Sequence, residues 1–90
     1  MAKVSRLGDT NQEGGRILRG AKTVYVNGIP IGLHVSRLSG HGEDEHSENV
    51  AYTTEASPTV FAEGVAVLRV GSGNSCGHRI VKGSEDVFVP

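Results

Sequence analysis

Short runs of β-branched and aromatic residues, each ending at a turn, set the pattern of this chain. Thr23–Gly28 reads Thr-Val-Tyr-Val-Asn-Gly, and Thr59–Gly64 reads Thr-Val-Phe-Ala-Glu-Gly. Such a run followed directly by a glycine is typical of a strand that enters a tight turn. We therefore predict two β-hairpins, with return strands in Ile29–Val35 and Val65–Val70.

A third hairpin is divided between the two ends of the chain. Asp86–Val89 has the pattern of an opening strand, and Ala2–Gly8 resembles the return segment Ala66–Gly71. We predict that the two terminal segments pair and bring the termini together. The expected fold is all-β: a small cone of three hairpins with pseudo-threefold symmetry, in which residues 1–90 form one domain.

An internal repeat supports the threefold arrangement. Arg6–Val26 aligns without gaps with Arg69–Val89, at a shift of 63 residues. A weaker copy aligns Val24 with Val60, at a shift of 36 residues. Repeats of one supersecondary unit bury their apolar faces against each other, so the repeat predicts three similar units around one axis.

Three long connections leave the hairpins: loop 1 (Gly8–Gly20), loop 2 (Ser36–Ala56) and loop 3 (Gly71–Gly83). They are polar or rich in glycine and show no sustained helical period, although a short helix within Glu43–Ala56 is an alternative. In a threefold arrangement all three loops leave on the same side and converge. Loops of this length need something to hold them together.

The composition limits both the core and the classes of partner. Of the 90 residues, 37% are hydrophobic and 4% aromatic, with no Trp, and so small a core commonly needs a metal, a disulfide or a partner. Nine Lys and Arg against ten Asp and Glu give a net charge of −1, which argues against nucleic-acid binding. No apolar run could span a bilayer and no signal-peptide pattern begins the chain, so we expect a soluble, unexported protein.

The metal-binding types of side chain are concentrated in and beside loops 2 and 3. His34 precedes loop 2, His41 and His46 lie within it, and Cys76 and His78 lie in loop 3. Thiolate and imidazole are the ligands of a closed, four-coordinate zinc site. We predict that His41, His46, Cys76 and His78 form such a site at the apex of the cone, with His34 in reserve. Zinc is the expected ion and iron an alternative.

Two other interpretations of these residues stay open. A lone cysteine is commonly a small buried residue, and its neighbouring histidines could be ordinary surface residues. A small zinc enzyme would instead use three protein ligands and a water, with Glu13 or Glu43 as the general base. Because no nucleophile-elbow or phosphate-loop pattern occurs, we predict no catalytic residue, no enzyme activity and no small-molecule substrate.

Taken together, the residues resemble those of the PAAR-repeat family. The likeness covers nearly the whole chain and is carried by Leu7-Gly8-Asp9, Gly14-Gly15, Thr23–Gly28, Ser57–Phe61, Arg69-Val70-Gly71, Cys76-Gly77 and Asp86–Val89. The sequence departs from the family at three places: Pro30-Ile31-Gly32-Leu33 and Ala66-Val67-Leu68-Arg69 stand for Pro-Ala-Ala-Arg, and Glu13-Gly14-Gly15 stands for His-Gly-Gly. Loop 1 therefore lacks the histidine that the family often has.

The resemblance implies a structural tip. It is greatest to the small spike-tip proteins of contractile-tailed phages, so it implies a virion protein of the tail baseplate, made in the host cytoplasm. One copy would cap a trimeric β-helical spike, bind a metal at its vertex and meet the target cell envelope when the tail contracts. The apolar residues expected to contact the spike are Val24, Val26, Val60, Val87 and Val89.

Two further functions are compatible with the same fold. One is a tip or effector adaptor of a type VI secretion spike; since the chain ends one residue after its last predicted strand, we expect any cargo to bind noncovalently. The other is a self-associating β-domain that has no spike partner.

Overall fold

The computed structural model describes all residues from Met1 to Pro90. It contains three two-stranded antiparallel sheets joined by long loops. The strands are β1 (Ala2–Lys3), β2 (Gly20–Val26), β3 (Ile29–Gly32), β4 (Phe61–Ala62), β5 (Val65–Ala66) and β6 (Phe88–Val89). The all-β prediction is confirmed. The helix considered within Glu43–Ala56 is reduced to one 3₁₀ turn, Asp44–His46. The structure has no helix of the length and apolar character that crossing a bilayer requires.

The hairpins β2–β3 and β4–β5 close through turns of the same kind. Asn27 and Gly28 have φ angles of 56° and 76°, and Glu63 and Gly64 have φ angles of 54° and 78°. Positive φ at both central residues matches the right-handed twist of the flanking strands, which is why such turns join hairpins. The two hairpins predicted from the sequence are therefore confirmed.

The return strands are shorter than predicted, because β3 ends at Gly32 and β5 ends at Ala66. Beyond these residues each return segment leaves its own hairpin and pairs with its neighbour, as Leu33 does with Val67. The apolar pattern continues past the strands because Leu33, Val67 and Leu68 stay buried while their hydrogen-bond partners change. Val35, which has a φ of 61° and is exposed, ends the first of these segments.

The third hairpin is formed by the two ends of the chain. Strand β1 pairs antiparallel with β6, so that Ala2 lies opposite Val89 and Lys3 opposite Phe88. The prediction of a divided hairpin is confirmed. The termini are thereby held beside each other at the turn end of this hairpin.

A closed ring of three backbone hydrogen bonds joins the three hairpins. The N–H of Ser5 donates to the carbonyl of Leu68, that of Leu68 to Gly32, and that of Gly32 to Ser5, each at 2.9 Å. All three residues are buried. A Cβ at Gly32 would lie 3.1 Å from the carbonyl oxygen of Ser5, so glycine permits the close approach. The ring is the structural form of the pseudo-threefold symmetry that the repeat predicts.

Apolar side chains form two clusters, one contributed mainly by the hairpins and the other mainly by the loops. The hairpin core contains Val4, Ala21, Val26, Ile31, Leu33, Ala62, Val67 and Val89. The loop core contains Ile17, Leu38, Ala51, Leu68 and Ile80. Cys76 packs against the loop core, so the side chains with metal-binding chemistry belong to the loop side of the molecule.

The opening strands of the hairpins alternate between an inner and an outer face. The residues at one set of equivalent positions are all exposed aromatics: Tyr25, Phe61 and Phe88. The residues that follow them are all buried in the hairpin core: Val26, Ala62 and Val89. The alternation is the two-residue period of a strand, repeated three times around the axis.

This alternation corrects part of the predicted spike contact. Val26 and Val89 are only 8% and 7% exposed, because they point into the protein's own core, and they have almost no surface to offer a partner. Val24 and Val60 are half-buried and pack against the edge of that core, and Val87 is 37% exposed. Of the five valines predicted to contact the spike, only Val24, Val60 and Val87 therefore keep accessible apolar surface.

Glu63, in the turn of the β4–β5 hairpin, forms hydrogen bonds that join this hairpin to the β2–β3 hairpin. Its carboxylate accepts hydrogen bonds from the Thr23 hydroxyl at 2.6 Å, the Thr23 N–H at 2.7 Å and the Lys22 N–H at 2.9 Å. These bonds, that of the Thr23 hydroxyl foremost, lower the pKa of Glu63 from its ordinary value of 4.5. The ionised carboxylate is therefore the form that stabilises the contact.

We predict that Glu63→Gln lowers the melting temperature at pH 7, because the amide is a weaker acceptor for the three donors. Since the pKa of Glu63 is lower in the folded state, its contribution is present above pH 4.5 and is lost as the pH falls through the folded-state value. The difference in melting temperature between wild type and variant should therefore narrow in acid. Circular dichroism at pH 7 and in acid measures it, and a difference that is constant with pH would contradict the assignment.

Candidate metal centre

Four donor side chains from two loops come together in the structure. His41 and His46 from loop 2 meet Cys76 and His78 from loop 3, and their ligand atoms all lie within 4.8 Å of one another. Cys76 Sγ lies 3.5 Å from His41 Nε2 and 3.5 Å from His78 Nδ1. His46 Nδ1 lies 3.4 Å from His41 Nε2. All four side chains are half-buried, so they are partly shielded but accessible to an ion.

Three of the separations between these atoms fit a tetrahedral ion, and the others are no longer than 4.8 Å. Zinc bonds of about 2.05 Å to nitrogen and about 2.3 Å to sulfur imply about 3.3 Å between two nitrogens and about 3.6 Å between nitrogen and sulfur. The closest nitrogen–nitrogen and nitrogen–sulfur separations in the cluster are 3.4 Å and 3.5 Å. One thiolate with three imidazoles also suits zinc by its chemistry. The residues therefore fit a closed site with four protein ligands.

Contacts behind the cluster orient two of the imidazoles. His41 Nδ1 lies 2.8 Å from the carbonyl oxygen of Ser39, so Nδ1–H donates there and the lone pair of Nε2 faces the cluster. His46 presents Nδ1 to the cluster, while its Nε2 lies 3.6 Å from the carboxylate of Glu45. A hydrogen bond such as that of His41 selects the ring nitrogen that binds a metal and holds the ring in place.

The 3₁₀ turn of loop 2 brings His46 back towards His41. The N–H of His41 donates to the carbonyl of His46 at 2.9 Å, and the N–H of His46 donates to that of Glu43 at 2.9 Å. A Cβ at Gly42 would lie 2.8 Å from the Cβ of His46, so the reversal needs glycine at this position. The two ring centroids are 5.2 Å apart.

A tight turn in loop 3 places Cys76 and His78 side by side. The N–H of Asn74 donates to the carbonyl of His78 at 2.8 Å, and the N–H of Gly77 donates to that of Asn74 at 3.0 Å. Gly77 has a φ of 92°, a conformation that other residues rarely adopt. The Cys-Gly-His sequence thus delivers a thiol and an imidazole from one turn.

Loop 1 contributes space to the cluster in place of a ligand. Gly15 is the repeat equivalent of His78, and a Cβ at Gly15 would lie 2.5 Å from His41 Nδ1 and 2.9 Å from Asn11 Nδ2. The ring of His41 therefore occupies the volume that a side chain at position 15 would need. The pseudo-threefold symmetry is broken here because two loops carry ligands and the third makes room for them.

The sequence matches the profile of the PAAR motif family over residues 7–82. The chain belongs to the PAAR motif family. The resemblance drawn from its residues is confirmed. Membership indicates a structural spike-tip protein of a contractile injection system, a class that includes both phage tails and secretion machines. No curated protein matches the chain.

The four ligands predicted for this PAAR protein lie together in the structure, and metal binding by them stays a prediction. His34, the reserve ligand, is outside the cluster: its Nδ1 lies 3.3 Å from the hydroxyl of Thr53. Asn11 and Asn74, two buried residues of loops 1 and 3, were not among the residues predicted for the site. The signal that the sequence offers is an asparagine at both of these equivalent repeat positions.

We predict that the PAAR protein purifies with about one zinc ion per chain, as a closed four-ligand site implies. Cys76→Ala should lower zinc affinity by more than about 100-fold, because it removes the only anionic ligand. His34→Ala is the matched control and should leave affinity unchanged. Elemental analysis and competition with a chromophoric chelator measure both, and wild-type zinc binding by Cys76→Ala would contradict the assignment.

We also predict that Gly15→Ala weakens zinc binding, because the added methyl group displaces the His41 ring. Gly73→Ala is the control: the three atoms nearest to its methyl group would belong to the side chains of Glu55 and Thr54, which are not candidate ligands. We expect Gly15→Ala to lower zinc affinity about tenfold or more, which is the size of effect seen when residues that support a metal ligand are changed. Equal affinities of the two variants would show that His41 does not need this space.

Proposed function

We propose that this PAAR protein is the tip of the central spike of a contractile phage tail. One copy caps a trimeric β-helical spike and is carried in the virion at the baseplate, after synthesis in the host cytoplasm. The observation that supports this function best is the ring that joins Ser5, Gly32 and Leu68. A single chain with three equivalent hairpins around one axis fits a threefold partner, which no asymmetric monomer could match at all three subunits.

The hairpin side of the molecule is the surface we assign to the spike. Val24, Val60 and Val87 occupy equivalent positions, one on each hairpin, and keep apolar surface accessible. A β-helix ends in unpaired strand edges that readily add further strands. Three hairpins and a threefold set of valines supply both the strands and the apolar contact that such an end requires.

The loop side is then the leading end. A metal would cross-link loops 2 and 3 if it were bound by His41, His46, Cys76 and His78. Apart from such a metal, these loops are held mainly by packing in the small loop core. Free energy of metal binding becomes free energy of folding when the site exists only in the folded state. The metal thus stiffens the end that meets the target cell envelope, and the function requires no catalytic chemistry.

A type VI secretion spike tip is the alternative within the same family. We favour the phage tail because the residues resemble the small phage spike-tip proteins more than other members. The neighbouring genes distinguish the two machines: genes for a tail sheath and baseplate support the phage assignment, and a secretion ATPase gene supports the alternative.

We predict that the purified chain binds a trimeric β-helical spike protein with one copy per trimer, as measured by light scattering after size-exclusion chromatography. Val87→Glu should weaken this binding about tenfold or more, because it places a charge in the apolar contact. Val50→Glu, at an exposed valine of loop 2, is the matched control and should bind as wild type does. No complex, or three copies per trimer, would contradict the proposal.

A further inference from the structure

Two buried asparagines lie against the metal centre. Asn11 of loop 1 and Asn74 of loop 3 are equivalent in the repeat and are 2% and 6% exposed. Asn11 Nδ2 donates to Asn74 Oδ1 at 3.1 Å and lies 3.4 Å from His41 Nε2. A buried carboxamide costs free energy unless its donors and acceptors have partners, so the partners of this pair are informative.

The orientation of Asn11 is fixed by backbone groups of its own loop. Its Oδ1 accepts hydrogen bonds from the N–H of Glu13 at 3.0 Å and the N–H of Gly15 at 2.8 Å. Its Nδ2 must then point away from the loop 1 backbone, towards Asn74. Asn74 presents its oxygen to this donor, so the direction of its own amide nitrogen is fixed as well.

The amide nitrogen of Asn74 is buried and has no hydrogen-bond partner. The oxygen of Asn11 accepts from the backbone of its own turn, whereas the oxygen of Asn74 accepts from Asn11. In the turn after Asn74, no backbone carbonyl accepts from the N–H of Cys76 or His78. The turn that carries the thiol therefore contains three N–H groups, those of Asn74 Nδ2, Cys76 and His78, that have no acceptor in the protein. A native structure rarely leaves a buried side-chain donor unpaired, and such a group calls for a specific acceptor.

We propose that Asn74 is a positioning residue of the metal centre, whose free Nδ2 donates to the Cys76 thiolate when a metal is bound. Cys76 lies two residues further along in the same turn. Metal binding replaces the thiol proton, which leaves to solvent, and the resulting thiolate is an acceptor for the unpaired amide. Asn11 holds the amide of Asn74 in the orientation that this bond needs. The inference rests on the proposed metal binding.

Asn74→Asp, titrated with Co²⁺, tests the proposal, because it keeps the oxygen that accepts from Asn11 and replaces the donor with a carboxylate oxygen. We expect the thiolate-to-cobalt charge-transfer band to shift, because the thiolate loses its hydrogen-bond donor. Asn49→Asp adds the same charge at an exposed position of loop 2 and should leave the band unchanged. A wild-type band in Asn74→Asp would overturn the role of Asn74.

Nuclear magnetic resonance of the wild-type chain loaded with ¹¹³Cd²⁺ tests the same bond without a substitution, should Asn74→Asp not fold. We expect a scalar coupling between the cadmium and a side-chain amide proton of Asn74, which a hydrogen bond to the bound sulfur transmits. Absence of this coupling would overturn the proposal. Failure of the wild type to bind either ion would overturn the metal site itself, which is a separate result.

Discussion

Three backbone hydrogen bonds around one axis, between Ser5, Leu68 and Gly32, join the three hairpins of this protein. Each bond joins two different hairpins, so the ring closes only when all three are present, including the one formed by the two ends of the chain. The hairpins then lie on one side as three equivalent units, and the three loops converge on the other. The four candidate metal ligands of loops 2 and 3 lie together on the loop side.

The loops show how a symmetric scaffold supports an asymmetric site. Asn11 and Asn74 occupy equivalent positions, yet the turn after Asn11 is capped and carries no metal-binding side chain, while the turn after Asn74 carries Cys76 and His78. Gly15 supplies the space that the long loop 2 fills with an imidazole. The two apolar clusters are small and the loops have almost no regular structure of their own, so a metal bound there would supply stability that these loops otherwise lack.

The hairpins, their order and the divided third hairpin could be predicted because strand period and turn residues are local signals, and the repeat supplies the symmetry. The four candidate ligands could be grouped by residue type and loop. The sequence favoured His46 over His34 but could not exclude His34, since the position of His46 depends on the 3₁₀ turn of loop 2. The inward direction of Val26 depends on which strand face meets the core. The pairing of Asn11 with Asn74 is a contact between loops, which no local pattern encodes.

The most direct test of this account is nuclear magnetic resonance detection of the ring itself, through scalar couplings across hydrogen bonds. The account predicts a coupling from the amide nitrogen of Ser5 to the carbonyl carbon of Leu68, from Leu68 to Gly32, and from Gly32 to Ser5. These three amides should also be among the slowest to exchange with deuterated solvent. Absence of the couplings, with rapid exchange at any of the three amides, would contradict closure of the chain around one axis.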